Sequence, residues 1–247
     1  MLPFTEYQFL AIFASYNQAI WPAQVLAYLL GGTALVLLVA PNRWSDRVIA
    51  AILAVMWAWT GVAYHLVFFA TINKAAILFG ALFVLQAAAL IHAGLVQHRV
   101  MFRFRCHLAG WIGLFFVTYS ALLYPLIGLI TGHSWPELPM FGVTPCPVTI
   151  FTFGMLLLTR GTLPAGLLII PVIWSLIGGS AAILLRVPQD WLLLASGLMT
   201  VALILIDRAT GRSAQATHFP GACSRRHPAA ARHNRPLRNW WRGSADS

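Results

Sequence analysis

Seven stretches of this chain, 21–39, 48–69, 75–96, 107–130, 148–158, 164–185 and 191–206, contain no Asp, Glu, Lys or Arg. A helix needs about 20 such residues to cross roughly 30 Å of hydrocarbon. The pattern therefore predicts an all-α fold: a polytopic helical membrane protein with about seven transmembrane helices, its main partner the lipid bilayer. Only 9% of the 247 residues are charged and mean hydropathy is +0.77, against about 25% charged residues in soluble domains. The N-terminus has no basic segment ahead of an apolar core, so it does not read as a cleaved signal peptide.

The net charge of +10 is concentrated at the far end, where eight of the sixteen Lys and Arg residues follow Asp207. Two regions result: a transmembrane helical domain over 1–207 and a basic cytoplasmic tail over 208–247 without apolar periodicity, expected to be disordered. The tail reads as an unstructured extension, or as a basic arm on anionic lipid with Trp240 and Trp241 at the interface. No nucleic-acid partner is expected, because no folded recognition element accompanies the charge.

Orientation follows from the short connections, since cytoplasmic loops are enriched in Lys and Arg. The first, third and fifth carry Arg43, Arg47, Arg99, Arg103, Arg105 and Arg160, whereas the other side holds only Lys74 and Arg186. This places the N-terminus outside and the C-terminus in the cytoplasm. Ahead of the first span, Phe9, Ile12, Phe13, Tyr16 and Ile20 fall at helical spacing. They predict a short interfacial helix that enters the bilayer at Pro22, a favourable first-turn residue.

The polar and helix-breaking residues gather in "GHSWPELPMFGVTPCPVTIFTFG", residues 132–154. The fifth span after it has only 11 residues, about 16 Å of helix, too short to cross. If 141–147 lies at membrane depth, the deficit is filled by irregular backbone, which is tolerated only when buried in protein or lining a cavity. Pro145 and Pro147 lack amide donors, and Pro147 sits near the helix start, where that lack costs least. A helix beginning inside the membrane directs free amides and partial positive charge at what lies above it, which suits an anion or a polar carbonyl. Thr144, Cys146 and Thr149 offer further contacts, overhung by His133 and Glu137. The alternative is an outer loop packed as a plug above an ordinary tilted helix.

Ionisable residues inside spans mark functional sites by default, and the histidines 65 and 92 qualify. They lie near opposite ends of successive helices, around 20 Å apart in depth at the usual rise, so they cannot hold one metal or haem. His92 reads as snorkelling towards the cytoplasmic interface. His65 shares the outer face with Tyr64, Asn73, His133, Glu137 and Cys146. Those side chains form a polar cluster capping helix ends or a solute-binding vestibule, with a metal at His65, His133 and Cys146 as a minor alternative. The cysteines at 106, 146 and 223 form no CxxC pair and indicate neither a disulfide framework nor a zinc site. The small residues 178–182 allow close helix approach, and Trp57, Trp59, Trp111 and Trp191 suit interfacial anchoring. No Walker, GxSxG, HExxH or Rossmann pattern occurs, so no motif supports an enzyme.

At "VAYHLVFFATINKAAILFG" and "YPLIGLITGHSWPELPMFGVTPCPVTIFTFG" the chain resembles an uncharacterised family of bacterial multi-pass integral membrane proteins, a domain of unknown function. The resemblance runs from "LPFTEYQFLAIFASYN" to about Asp207 and excludes the Arg-rich tail. It implies a bacterial cytoplasmic membrane and draws attention to Tyr64, His65, His133 and Cys146; members are loosely labelled permeases, which is analogy. The expected function is binding or translocation of a small solute at an outward-facing site. The competing readings are a metal- or cofactor-binding redox component and a noncatalytic assembly partner of a membrane complex.

Overall fold

A computed structural model of the chain describes residues 4–132, 134–185 and 187–209. These form nine α-helices, three of them continued by π-helical turns, and one pair of two-residue strands. Helix α1 spans Glu6–Ala19, α2 Ala23–Val39 and α3 Ser45–Trp59, the last running on through a π segment, Thr60–Phe68. Helix α4 (Ala76–Ile91) ends in a π turn at His92–Val96. Helix α5 (Leu108–Thr118) passes through a π turn at Tyr119–Leu123 into α6, Tyr124–Ile130. Helices α7 (Pro145–Leu157), α8 (Gly166–Leu184) and α9 (Trp191–Ala209) complete the bundle, α9 preceded by a 3₁₀ turn at Pro188–Asp190.

Five of these units are long and apolar enough to cross a bilayer: Ser45–Thr71, Ala76–Val96, Leu108–Ile130, Gly166–Leu184 and Pro188–Asp207. The bent pair α1 and α2 brings the number to as many as six. Length separates this result from the expected seven. Helix α7 has 13 residues, about 20 Å at 1.5 Å per residue, and does not span alone. It starts only three residues before the expected boundary, so the shortage read from the sequence is real.

Helix α1 meets α2 at 85°, the angle of an in-plane helix joined to a membrane-crossing one. Thr5 caps it: its hydroxyl accepts the Gln8 amide while the Gln8 side chain accepts the Thr5 amide, a reciprocal capping box. The face carrying Phe13, Tyr16 and Asn17 is buried. The helix thus lays its predicted apolar face on protein, where the spacing alone had suggested the lipid interface.

The centre of the bundle is α7. Every residue of it except Cys146 is buried, because α3, α5, α8 and α9 pack around it. Lipid is as apolar as Leu, so what draws these helices together is close van der Waals contact, and glycine permits it. A Cβ on Gly154 of α7 would stand 2.7 Å from the Gly113 carbonyl oxygen of α5 and 2.8 Å from a Val117 methyl. In the same way Gly178 and Gly179 of α8 face Leu193 and Leu194 of α9, as their small size predicted. Trp57 departs from its expected interfacial role. It is fully buried and donates its indole N–H to Thr152 Oγ1 of α7 at 2.8 Å. Trp111 and Trp191 are exposed, as anchors require.

Contacts gather the first, third and fifth connections at one end. Asp46 accepts the Phe102 amide at 2.8 Å and pairs with Arg103 at 3.0 Å. Strand β1 (Met101–Phe102) pairs antiparallel with β2 (Thr159–Arg160), and Arg105 reaches Asp207 at 3.6 Å. His92 is exposed there and bonds Gln97. Cys146 is a free thiol. The tail beyond 209 lies outside the described residues.

Gly154→Leu forces the α5 and α7 backbones apart and is expected to lower stability by about 1–3 kcal/mol, the usual cost of overpacking. Gly32→Ala, where a Cβ meets nothing within 4 Å, leaves it unchanged. Unfolding in detergent by titration with sodium dodecyl sulfate distinguishes the two.

Candidate functional site

The approach to α7 is irregular and buried: Leu138 and Pro139, then 141–144, all lie inside the protein. Its carbonyls need donors, and α1 supplies them. Asn17 Nδ2 donates to the Pro136 and Leu138 oxygens at 2.7 and 2.8 Å, and the Tyr16 hydroxyl to Val143 O at 2.6 Å. Trp59 Nε1 donates to that hydroxyl in turn, and Gln24 Nε2 to Asn17 O. Gly142 has φ +75°, and a Cβ there would stand 2.7 Å from the Ala27 side chain. The chain can turn there only without a side chain.

Thr144 and Thr149 were expected to face a ligand. Both are fully buried, and both donate to the backbone four residues earlier, Met140 O at 2.7 Å and Pro145 O at 2.8 Å. Their hydroxyls are spent on the turn that starts the helix. Glu137 is exposed on the loop, and His133 lies outside the described residues.

Above the first turn of α7 stands a carboxylate from the chain itself. Asp190 is 3% exposed. It accepts the Tyr124 hydroxyl and lines the same cavity as Cys146. The Tyr119 hydroxyl holds the preceding residue through Gln189 O at 2.8 Å. The positive end of this helix was expected to suit an anion or a polar carbonyl; the carboxyl group of Asp190 shares a cavity wall with Pro145 and Cys146 of its first turn. Tyr124 and Tyr64 lie six and seven residues from the ends of their helical units at Ile130 and Thr71. At about 1.5 Å per residue this puts the cluster roughly 10 Å inside the bundle.

A cavity of about 460 Å³ opens beside this cluster, within the 300–1,000 Å³ usual for ligand pockets. Asp190, Cys146, Tyr64, Asn73 and Ser180 contribute polar groups; Phe4, Phe9 and Phe13 of the N-terminal segment, Phe69, Phe79 and most of the α8 lining are apolar. Of the sequence candidates, then, Tyr64, Asn73 and Cys146 line one cavity. His65 stands behind its wall. It is fully buried with both ring nitrogens unbonded, boxed by Tyr64, Phe69, Phe79, Phe83 and Trp174 at ring separations of 4.7–6.1 Å. Trp174 closes the wall next to Cys146; its indole N–H interacts with the thiol but falls short of hydrogen-bond geometry. Among the described residues no three His, Cys, Asp or Glu side chains gather closely enough to hold a metal, so His65 and Cys146 form no metal cluster with another described residue.

Sequence reasoning missed Asp190, Tyr119, Tyr124 and Trp174. "VPQDW" carries a helix-start signal, a proline followed by an acid ahead of an apolar run, and marked a boundary when it also marked the site. The tyrosines and Trp174 sit within apolar runs and carry no spacing of their own.

A family of unknown function, DUF6064, matches residues 6–215 of the chain. The chain belongs to this family. The DUF6064 match begins inside the capping box of α1 and reaches eight residues past Asp207, so it embraces every element that builds the cavity except Phe4, together with the start of the basic tail. No curated protein and no solved structure matches.

Asn17→Ala leaves two carbonyls of the irregular segment without donors and is expected to cost about 1–3 kcal/mol, the penalty for buried polar groups left unpaired. Equal stability of variant and parent in detergent unfolding would show that α1 does not hold this segment.

Proposed function

We propose that this membrane protein binds a small amphipathic solute in the cavity beside Asp190. The observation that carries the reading is the distribution of polarity. Largely apolar walls surround a few convergent polar groups, the arrangement by which pockets bury a ligand's body and orient its head. Helix α1, held by Tyr16 and Asn17 to the irregular segment, supplies one wall through Phe9 and Phe13. The cavity lies away from the end that carries Arg43, Arg103, Arg105 and Arg160. The enrichment of Lys and Arg in cytoplasmic loops supports a cavity that faces outward and an N-terminus outside. The resemblance to bacterial multi-pass proteins supports a cytoplasmic-membrane location.

A ligand present at a hundred times its Kd stabilises the folded state by about 2.7 kcal/mol. Ala181 lines the cavity and is half-buried, so Ala181→Trp fills the space and is expected to abolish that stabilisation while leaving the unliganded protein folded. A screen of small amphiphiles by thermal unfolding in lipid nanodiscs checks this; stabilisation that persists in the variant would place the ligand elsewhere. For orientation, a cysteine at exposed Lys74 in a Cys146→Ser background should react with a membrane-impermeant maleimide in intact cells. One at exposed Pro41 should react only after permeabilisation, and the reverse pattern would invert the topology.

A further inference from the structure

The solute's head group follows from the charge and surface chemistry of this same cavity, and the inference rests on the binding reading above. Asp190 is the only acid lining the cavity among the described residues, and no described base lines it. The carboxylate accepts a side-chain hydrogen bond from the Tyr124 hydroxyl, a neutral donor, and the Cys146 thiol that shares the cavity wall is neutral too. The ion pairs among the described residues, Asp46 with Arg103 and Asp207 with Arg105, lie at the other end of the bundle. A buried carboxylate without a cation is costly. The start of α7 offsets it by about half a unit charge at most. Among the described residues the field that points into the cavity is therefore negative.

The walls add a second, independent preference. Rings of Phe4, Phe9, Phe13, Tyr64, Phe69 and Trp174 line the space. They interlock, with Phe13 stacked on Tyr64 at 5.2 Å, Tyr64 on Phe69 at 5.6 Å, and Phe4 edge-on to Phe69 at 5.4 Å. Aromatic faces attract cations through their quadrupoles, and rings gathered around a space recognise ammonium groups that have lost their water. A carboxylate at one side and aromatic rings around it select positive charge on an apolar body.

We propose that the cavity binds an organic cation, an alkyl- or arylammonium ion whose nitrogen lies towards Asp190 and whose apolar part rests among the aromatic rings and α8. The cation reaches this site either as a free solute or as the ammonium head group of a lipid.

The test uses three probes with one apolar body: 4-phenylbutyltrimethylammonium, 4-phenylbutanol and 4-phenylbutyrate. Each is titrated calorimetrically into the full-length protein in phosphatidylglycerol nanodiscs, with empty discs subtracted. The cation is expected to bind at least about tenfold more tightly than the alcohol, with the carboxylate weakest, a difference of about 1.4 kcal/mol. Asp190→Asn keeps the shape and an oxygen acceptor for Tyr124 but removes the charge, and should shrink the preference to within about threefold. Phe9→Leu keeps an apolar wall without a ring and should weaken the cation more than the alcohol, which preserves the test if Asp190→Asn does not fold. Equal affinity for cation and alcohol, or a preference that survives both variants, overturns the cation inference and leaves the amphiphile reading standing. Absence of binding by all three overturns both. Phosphatidylethanolamine in the disc then assigns the source: a severalfold fall in cation affinity identifies the lipid head group as occupant, and unchanged affinity a free solute, each outcome supporting the cation chemistry.

Discussion

A helix that starts inside a membrane protein can stand only if the irregular chain leading to it finds its hydrogen bonds within the protein, because hydrocarbon offers none. Helix α7 is such a helix. Its 13 residues are encased by α3, α5, α8 and α9, and the chain before it is buried from Leu138 onward apart from a half-buried Met140. Much else in the fold answers to that requirement. Helix α1 lies across the bundle because Tyr16 and Asn17 must reach the carbonyls of 136, 138 and 143. Thr144 and Thr149 turn back onto their own backbone for the same reason. The 3₁₀ turn before α9 brings Asp190 to the first turn of α7, where the partial positive charge of a helix start stabilises an anion.

The cavity is a by-product of this arrangement that can serve a ligand. A half-length helix leaves space above its start, and that space is bounded by the segments that compensate for it. The π-helical segment Thr60–Phe68 carries Tyr64 to the cavity and His65 to the aromatic box behind it. Such π segments are rare and occur often at functional sites. A carboxylate with no cationic partner among the described residues and a wall of interlocked rings coincide at one place, and together they distinguish this cavity from an ordinary packing defect.

Much of this was legible in the sequence. Uncharged runs announced the helices, the 11-residue fifth run announced a short one, and the separation of Arg-bearing connections from the others announced the two ends of the bundle. Tyr64, Asn73 and Cys146, which line one cavity, stood out because polar residues are conspicuous against an apolar background. What the sequence concealed depends on contacts between distant segments. Asp190 drew no notice because nothing local shows that its turn reaches Tyr124, 66 positions away in the chain, and the cavity wall that Cys146 shares. Trp57 reads as one of the interfacial tryptophans although it lies in the middle of the run 48–69, and Thr152 of α7 draws its indole into the core. Thr144 and Thr149 looked like ligand contacts because a free hydroxyl and one bonded to its own turn have the same sequence.

The account stands most directly on the bond between Tyr124 and Asp190 at the start of α7, and a double-mutant cycle measures it. Tyr124→Phe, Asp190→Leu and the double variant are unfolded from mild detergent with sodium dodecyl sulfate, and the free energies compared. A coupling of about 1–3 kcal/mol is predicted, in the range of hydrogen bonds to charged groups and of residues in direct contact. Effects that add within about 0.5 kcal/mol, the behaviour of independent sites, would contradict a carboxylate seated at the beginning of the buried helix.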